Sequence, residues 1–507
     1  MPRQVSRQRA RSRDAAPRQP PWRRLANPYR PFEILSADQI EAIHLASLRI
    51  LEELGIEFLS DRALDILARA GAAIDRERRL ARLDRGLVEL LVGRAPSAFT
   101  LTARNPERSV AVGGNAVCFA SVGGPPNCAD LGRGRRPGSL ADFQEIVRLV
   151  HCLESIHLVG GAPVVPIDLP AETRHLDCAL GFVTLTDRVW HATGLGRERV
   201  EDAIAMACLA RGIDRDALAA SPGLYSIINA NSPRRFDGPM LDGLIEMALH
   251  GQAVVVTPFT LSGAMAPATV EGALTLQNAE ALAGIALAQA VRPGTPAVYG
   301  GFTSNVDMRT GAPAFGTPEY AKACIAAGQL ARRYRLPYRS SNTASANLVD
   351  AQAAYESQMS LWGALLGQAN LVHHAAGWLE GGLTVSYEKL VLDAEMLQMM
   401  AAMLQPLDTA PDRLGVAAVA EVPPGGHFFG SADTLARYET AFYAPLLSDW
   451  RSYESWREAG ALSATERAHR LWQELLRRYQ PPPLDPAIAE DLAAYVARRK
   501  REAAAVA

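Results

Sequence analysis

Adjacent histidines, His373 and His374, are the side chains here best suited by type to acid–base work or metal ligation. Neighbouring residues on a β-strand point to opposite faces, so one of the pair faces inward, and the small residues that follow favour His374. A structurally satisfied histidine fits the same pattern. A metal would need further ligands, and the nearest loop acids, Asp130 and Asp307, are isolated. Neither HExxH, a P-loop, GxSxG nor a Cys–His pair at metal spacing occurs, so a metal hydrolase is disfavoured. Glu380, in GWLEGG, is the one acid close to the histidines. The six cysteines lack CxxC spacing and mostly occupy apolar contexts, which reads as buried free thiols rather than a zinc site. One further stretch stands out: SNTASANLVDAQAAYE, from Ser341 to Glu356, small and polar at first and then helical.

These residues sit in a regular alternation that begins near residue 116. Runs rich in β-formers fall at 117–120, 156–159, 189–192, 224–228, 254–257, 297–299, 338–341 and 371–375, each followed by a stretch of helical period. Eight strands alternating with eight helices is the count of a (β/α)8 TIM barrel, in the α/β class. A doubly wound open sheet is the alternative, but no Gly-rich dinucleotide fingerprint follows the first strand. In a barrel the chemistry belongs to the loops after the strands. Those loops are small and polar here: SVGGPPN, GGAP, TGLG, NANSPRR, PFTLSGA, GGFTSN, SNTASAN and GWLEGG. The first 25 residues hold eight arginines, four prolines and one acid, and read as a disordered basic arm. Residues 26–115 read as a helical and hairpin flank, with a helix capped by Ser36 and a hairpin near 99–112. Residues 116–405 form the barrel. Residues 406–507 read as a helical extension, rich in aromatics, that packs on the barrel or makes an oligomer interface.

Composition narrows the partners. A formal charge of −2 over 507 residues argues against a nucleic-acid surface. No apolar run approaches the ~20 residues of a membrane helix, and the basic arm lacks the apolar core of a secretory signal. A cytoplasmic protein is expected.

Three blocks carry a family resemblance: the stretch 341–356, HHAAGWLEGGLTVSYEKLVLDAEML at 373–397, and PPGGHFFGSADTLARYETAFYAPLLSDWRSYESWREAG at 423–460. Their order and spacing resemble the trimethylamine methyltransferase (MttB) superfamily over about residues 30–500. The resemblance implies a (β/α)8 methyltransferase of one-carbon metabolism that hands a methyl group from an amine to a small corrinoid protein. Founding members place pyrrolysine in the loop after strand 7, upstream of a D-x-Q-A-x-Y-E motif like Asp350–Glu356. That position falls here at Asn347 or Leu348, ordinary residues for which no acid–base role is implied. Members without pyrrolysine resemble glycine betaine methyltransferase, and the substrates assigned to them are mostly quaternary amines. One departure is Ala432-Asp433, where many relatives carry histidine before the position of Thr434.

The implied chemistry explains the missing acid–base constellation. A quaternary nitrogen leaves as a neutral amine, so the protein has chiefly to bind, orient and desolvate, while the cofactor supplies the hard step. Aromatic faces suit a quaternary ammonium, at ~0.5–2 kcal/mol per contact. Trp190, Phe259, Tyr299, Phe302 and Trp378 are the strand-end candidates, with Tyr225 behind them. A betaine carboxylate would take donors from His374, Asn342, Asn347, Thr303 or Asn229. Arg339 lies on strand 7, with the helix layer one direction open to it. Glu380 either balances the ammonium or caps a turn. The chain lacks a D-x-H-x-x-G signature, so the corrinoid (cobalamin) is expected on a separate protein that docks transiently. A homo-oligomer is also expected. Two alternatives stay open: transfer to another acceptor such as a folate, and a non-catalytic betaine-binding protein.

Overall fold

A computed structural model describes residue 17 and residues 19–506. Eight parallel strands close on themselves: β1 (Ala116–Ser121), β2 (Leu158–Val159), β3 (Val189–His191), β4 (Leu224–Ile228), β5 (Ala253–Val256), β6 (Ala297–Gly300), β7 (Tyr338–Ser341) and β8 (Leu371–Ala376). Closure comes from β8 on β1, with Leu371 opposite Cys118 and Val372 opposite Phe119. The fold is the (β/α)8 barrel that the alternation predicts.

The eight surrounding helices are α1 (Leu140–Cys152), α2 (Arg174–Leu185), α3 (Arg197–Arg211), α4 (Gly238–Leu249), α5 (Val270–Val291), α6 (Pro318–Arg333), α7 (Ala351–Leu366) and α8 (Tyr387–Met403). Most begin where a Ser, Thr or Asp side chain accepts a first-turn N–H: Ser139, Asp237, Thr269, Thr317, Asp350 and Ser386. Each such cap contributes about 1 kcal/mol and fixes where a strand-end loop stops.

The lumen is apolar below and polar above. Cys118, Leu158, Val189, Tyr225, Val255, Val298 and Leu371 fill its lower layers. The antiparallel hairpin Ala98–Leu101/Val110–Gly113 plugs the base, with Leu101, Val110 and Val112 in the same cluster. The rest of the N-terminal flank covers α5. This explains why α5 shows no polar face and buries Gln277, Asn278 and Glu280 along with its apolar residues.

Two small sheets rim the mouth where the sequence suggests only loops. Phe259–Ser262 and Phe302–Val306 continue the chain beyond β5 and β6 as a parallel pair. Trp378–Leu379 and Thr384–Ser386 join Asn127–Asp130 and Gly134–Pro137 across the loops after β8 and β1.

The basic arm needs a correction at its end. Leu25–Ala26 pairs antiparallel with β1, Gln19 Nε2 donates to Cys152 O at 3.0 Å, and Trp22 lies 5.6 Å from the His157 ring. Residues 19–25 are therefore seated on the barrel base. The few apolar side chains among the arginines find a surface there, a fact composition alone does not carry. The remainder of the arm, residues 1–16 and 18, lies outside the described residues.

At the other end, Ala464–Arg478 packs along α8, with Trp472 4.9 Å from the Tyr387 ring. Pro486–Val506 reaches α2 and α3 through Lys500–Asp177 and Arg499–Asp202. Among the described residues, no helix is long and apolar enough to cross a membrane.

Candidate active site at the barrel mouth

Strand parity decides which side chains reach the lumen. On β7, Tyr338 and Ser340 face outward to Cys324 of α6, at 2.8 Å to its carbonyl and 3.2 Å to its sulfur. Arg339 and Ser341 therefore face inward. Arg339 is 1% exposed, and its guanidinium carbon sits 4.9 Å from the centroid of Phe302. Its Nη1 donates to Gly301 O at 3.3 Å, and its Nε has no partner. Among the described residues the groups acting on its charge are tyrosines and a cysteine, with no carboxylate among them. Burial pushes its pKa down to about 10, so it remains cationic at neutral pH. The helix layer, left open by the sequence, is not where this residue goes.

The two histidines also depart from simple alternation. His374 has φ +57°, and the pairing of β8 with β1 slips between Val372 and Ala376. This bulge turns both rings into the mouth, with centroids 4.2 Å apart. His374 Nδ1 accepts from Gly123 N at 3.3 Å and its ring lies 4.6 Å from Trp378. His373 lies 6.0 Å from Tyr225 and 6.3 Å from His191, deeper in the lumen. Below it, a Cβ on Gly160 would stand 1.9 Å from Ser121 O, so only glycine lets β1 and β2 approach there. Burial first, then neighbouring positive charge including Arg339, holds both histidines well below the ordinary range. They are neutral at physiological pH.

Around His374 the aromatic residues form one cluster. Phe302 is its centre, 5.1 Å from Phe259, 5.7 Å from Phe315 and 6.1 Å from Trp378. Trp378 is fixed by donation from its Nε1 to Ala344 O at 3.1 Å. Phe315 and Tyr320 belong to the cluster but escape a search of strand ends, because they follow a long excursion after β6. Two expected members are elsewhere. Trp190 packs outward on Phe182 of α2 at 5.7 Å. Tyr299 also faces the helices, donating to Asn278 Oδ1 at 3.0 Å and stacking on Tyr334. Both have the outward parity of their strands.

The polar candidates divide likewise. Asn342 is buried, with Nδ2 donating to Ala375 O at 2.8 Å and Oδ1 without a partner. Ser341 Oγ and Ser262 Oγ are also buried and unpartnered, as is His373 Nδ1. Thr303 is engaged by Gln277 at 2.7 Å, and Asn229 is exposed. Glu380 is held at 3.0 Å by Arg135 Nε on the rim, so it neither stands free for an ammonium nor caps the turn. Asn347 and Leu348 lie on the outer rim, Leu348 70% exposed. The chain leaves the mouth there to reach the cap of α7.

The D-x-Q-A-x-Y-E motif builds that loop. Asp350 caps α7, accepting from Gln352 N and Ala353 N. Glu356 Oε2 accepts from Ser345 N at 2.8 Å and Ala346 N at 2.9 Å, and Gln352 Nε2 donates to its Oε1. The loop after β8 has a similar anchor. Asp393 accepts from Gly377 N at 2.8 Å and pairs with Lys389, which reaches Ser357 of α7 at 2.7 Å. Both charged side chains of this pair are fully buried.

Two other features among the described residues lie away from the mouth. The one metal-capable trio among the described residues, Glu201, Glu246 and His250, lies on outer helices, where Arg215 and Arg62 already bind the carboxylates. A surface cleft of about 390 Å³, lined by Phe99, Ser221 and Arg292 among others, opens at the opposite end of the barrel. The mouth itself offers aromatic faces, neutral histidines, unpartnered hydroxyl and amide groups, and one unpaired cation. That set is suited to binding and orienting a ligand.

The fold is a closed (β/α)8 barrel with its polar and aromatic groups gathered at one mouth. The chain belongs to the trimethylamine methyltransferase (MTTB) family, whose model matches residues 3–504, and it is a methyltransferase. It is 38% identical over 472 residues to a glycine betaine methyltransferase of Desulfitobacterium hafniense (strain Y51), covering 93% of this chain and 98% of that one. It is 28% identical to the trimethylamine methyltransferase MttB of D. hafniense (strain DSM 10664 / DCB-2), over 92% and 94% of the two chains. Among solved structures, the Methanosarcina barkeri monomethylamine methyltransferase (MtmB) aligns at TM-score 0.49 and 9% identity, covering 89% of this chain and 90% of that chain.

Proposed function

We propose that this enzyme takes a methyl group from a small quaternary amine that also carries a carboxylate, of the glycine betaine class, and passes it to a corrinoid held by a separate protein. The observation that carries the reading is Arg339, a buried guanidinium without a counter-charge and with an unused donor. Leaving such a charge unpaired costs several kcal/mol, and a ligand carboxylate supplies the missing partner through charge-assisted hydrogen bonds. The trimethylammonium end then faces the cluster of Phe259, Phe302, Phe315 and Trp378, which needs no N–H to hold it. The similarity to a glycine betaine methyltransferase supports the same substrate class.

In the reaction the N–CH3 bond breaks, the electron pair stays on nitrogen, and the nitrogen departs as a neutral tertiary amine. A corrinoid on a carrier docked at the mouth would supply the nucleophile that takes the methyl group. The residues present fit that division. Neutral His373 and His374 put no cation beyond Arg339 beside the ammonium, and the aromatic walls exclude water from its methyl groups. No proton has to move, so no acid or base is needed. A reduced acceptor also implies a reducing compartment such as the cytoplasm, in keeping with six free cysteines.

The test supplies purified enzyme with Co(I) cobalamin and a panel of glycine betaine, proline betaine, carnitine, choline and trimethylamine, reading methylation by absorbance. Methylation from a carboxylate-bearing quaternary amine, with none from choline or trimethylamine, is expected. Equal activity with choline would remove the role given to Arg339. Demethylation seen only with a folate acceptor would replace the corrinoid.

A further inference from the structure

Two phenylalanine–threonine pairs open the rim sheet beyond β5 and β6. Phe259-Thr260 and Phe302-Thr303 lie side by side, in register, at the start of its two parallel strands. Alternation along each strand sends the phenylalanine toward the mouth, where Phe302 meets Arg339 and His374, and the threonine toward the helix layer. The two phenylalanine rings are 5.1 Å apart. Behind them the two threonine hydroxyls are hydrogen-bonded to each other.

Both pairs hang on one side chain of α5. Gln277 is fully buried, and its Oε1 accepts from Thr303 Oγ1 at 2.7 Å and from Phe302 N at 3.3 Å. Just before this point the main chain is still tied to β7, with Gly301 N donating to Arg339 O at 2.9 Å. The other end of the Gln277 amide begins a chain of donors that all point outward. Its Nε2 donates to Tyr299 OH at 3.4 Å, Tyr299 OH to Asn278 Oδ1 at 3.0 Å, and Asn278 Nδ2 to Tyr334 OH at 2.9 Å. Tyr334 OH, having accepted that bond, donates to His44 Nδ1 at 2.8 Å, on the flank helix Ala37–Arg49. A flipped Gln277 amide would set its NH2 against Phe302 N–H and break the first link of the chain, so its orientation is fixed.

We propose that Gln277 is a positioning residue for the methyl transfer: anchored from the flank, it seats Phe302 and, through Thr303 and Thr260, Phe259, and so sets the grip on the quaternary ammonium without touching it. The inference rests on the reading that the aromatic cluster holds the ammonium. The charge on nitrogen disappears as the methyl group leaves, so the aromatic faces favour the bound substrate over the transition state. Loosening them weakens binding and leaves kcat undiminished. A residue that served packing alone would, on removal, weaken every ligand of the mouth alike.

The experiment titrates the full-length protein calorimetrically with glycine betaine and with the tert-butylacetate anion, which has the same shape and carboxylate but carbon in place of the charged nitrogen. The ratio of the two Kd values reads the grip on charge alone. Gln277→Met removes acceptor and donor at nearly constant volume, and is expected to shrink that ratio about 2- to 30-fold, the worth of one cation–aromatic contact. Gln277→Glu at about pH 6 is expected to retain the ratio. Burial raises Glu280 of the same helix to about 7, and a protonated carboxyl at position 277 keeps both an acceptor and a donor. If Gln277→Met does not fold, Thr303→Val removes the shorter of the two rim contacts and should shrink the ratio in the same direction. Equal losses for both ligands, or a Gln277→Glu variant no better than Gln277→Met, overturn the proposal. Phe302→Leu separates it from the reading beneath it. A ratio unchanged by Phe302→Leu places the ammonium elsewhere, and both fall. A ratio that shrinks with Phe302→Leu but not with Gln277→Met overturns the role of Gln277 alone.

Discussion

Arg339 is the residue on which the substrate reading turns, and its physics gives a prediction with two opposite signs. Replacing it with methionine removes charge-assisted hydrogen bonds worth about 1.5–3 kcal/mol, so betaine affinity should fall roughly 10- to 150-fold. The same substitution removes an unpaired buried charge, so the ligand-free protein should melt at an equal or higher temperature. Calorimetric titration and a thermal melt read the two effects separately. A parallel loss of binding and stability would show that Arg339 only supports the fold. Arg339→Lys keeps the charge but loses the planar fork, and an intermediate affinity is expected.

At the scale of elements, the loops after β7 and β8 are held by buried carboxylates rather than by their own sequence. Glu356→Ala frees the amides of Ser345 and Ala346, and unsatisfied buried groups cost about 1–3 kcal/mol each. Stability in urea should drop by about that amount, and kcat/KM should drop with it, because Trp378 rests on Ala344 of the same loop. Lys389→Met should be more damaging, at about 3–5 kcal/mol, since it strands Asp393 in a fully buried site. Adding Asp393→Leu should recover part of the loss. A double variant no better than the single one would mean that the donation of Gly377 N to Asp393 matters more than the ion pair.

For the whole molecule, buried histidines set the acid limit. Burial lowers His157 to about 3 and His151 and His191 to about 4, and it also depresses His373 and His374. Unfolded histidines titrate near 6.5, so between roughly pH 6.5 and 4 the unfolded chain binds more protons than the native one. Stability therefore rises with pH across that window and is lost as pH falls through it. Glu280, raised to about 7 by burial, and Asp393, also raised by burial, act in the opposite direction. They are two groups against six, since burial lowers His44 as well, so the net sign stands. Thermal melts from pH 7.5 down to 4.5 should show a monotonic fall in Tm, beginning near pH 6.5. A flat profile would mean that the histidines are protonated in the native state.

Local patterns made the eight strands, most of the helix starts and the basal hairpin legible in the chain, because alternation, helical period and capping residues act over a few neighbours. They also gave part of the mouth: Phe259, Phe302, Asn342, His374 and Trp378 lie where strand ends converge. Trp190 and Tyr299 were misplaced because the parity of a strand is fixed only by what packs on its two sides. The bulge at His374 reversed the alternation of two adjacent residues. The inward turn of Arg339 needed the positions of Tyr338 and Ser340 against α6. The sequence by itself determined the barrel and the segments that meet at its mouth. Only the tertiary structure decided which side chains face one another there, because parity, bulges and unpaired charges are properties of contacts between segments far apart in the chain.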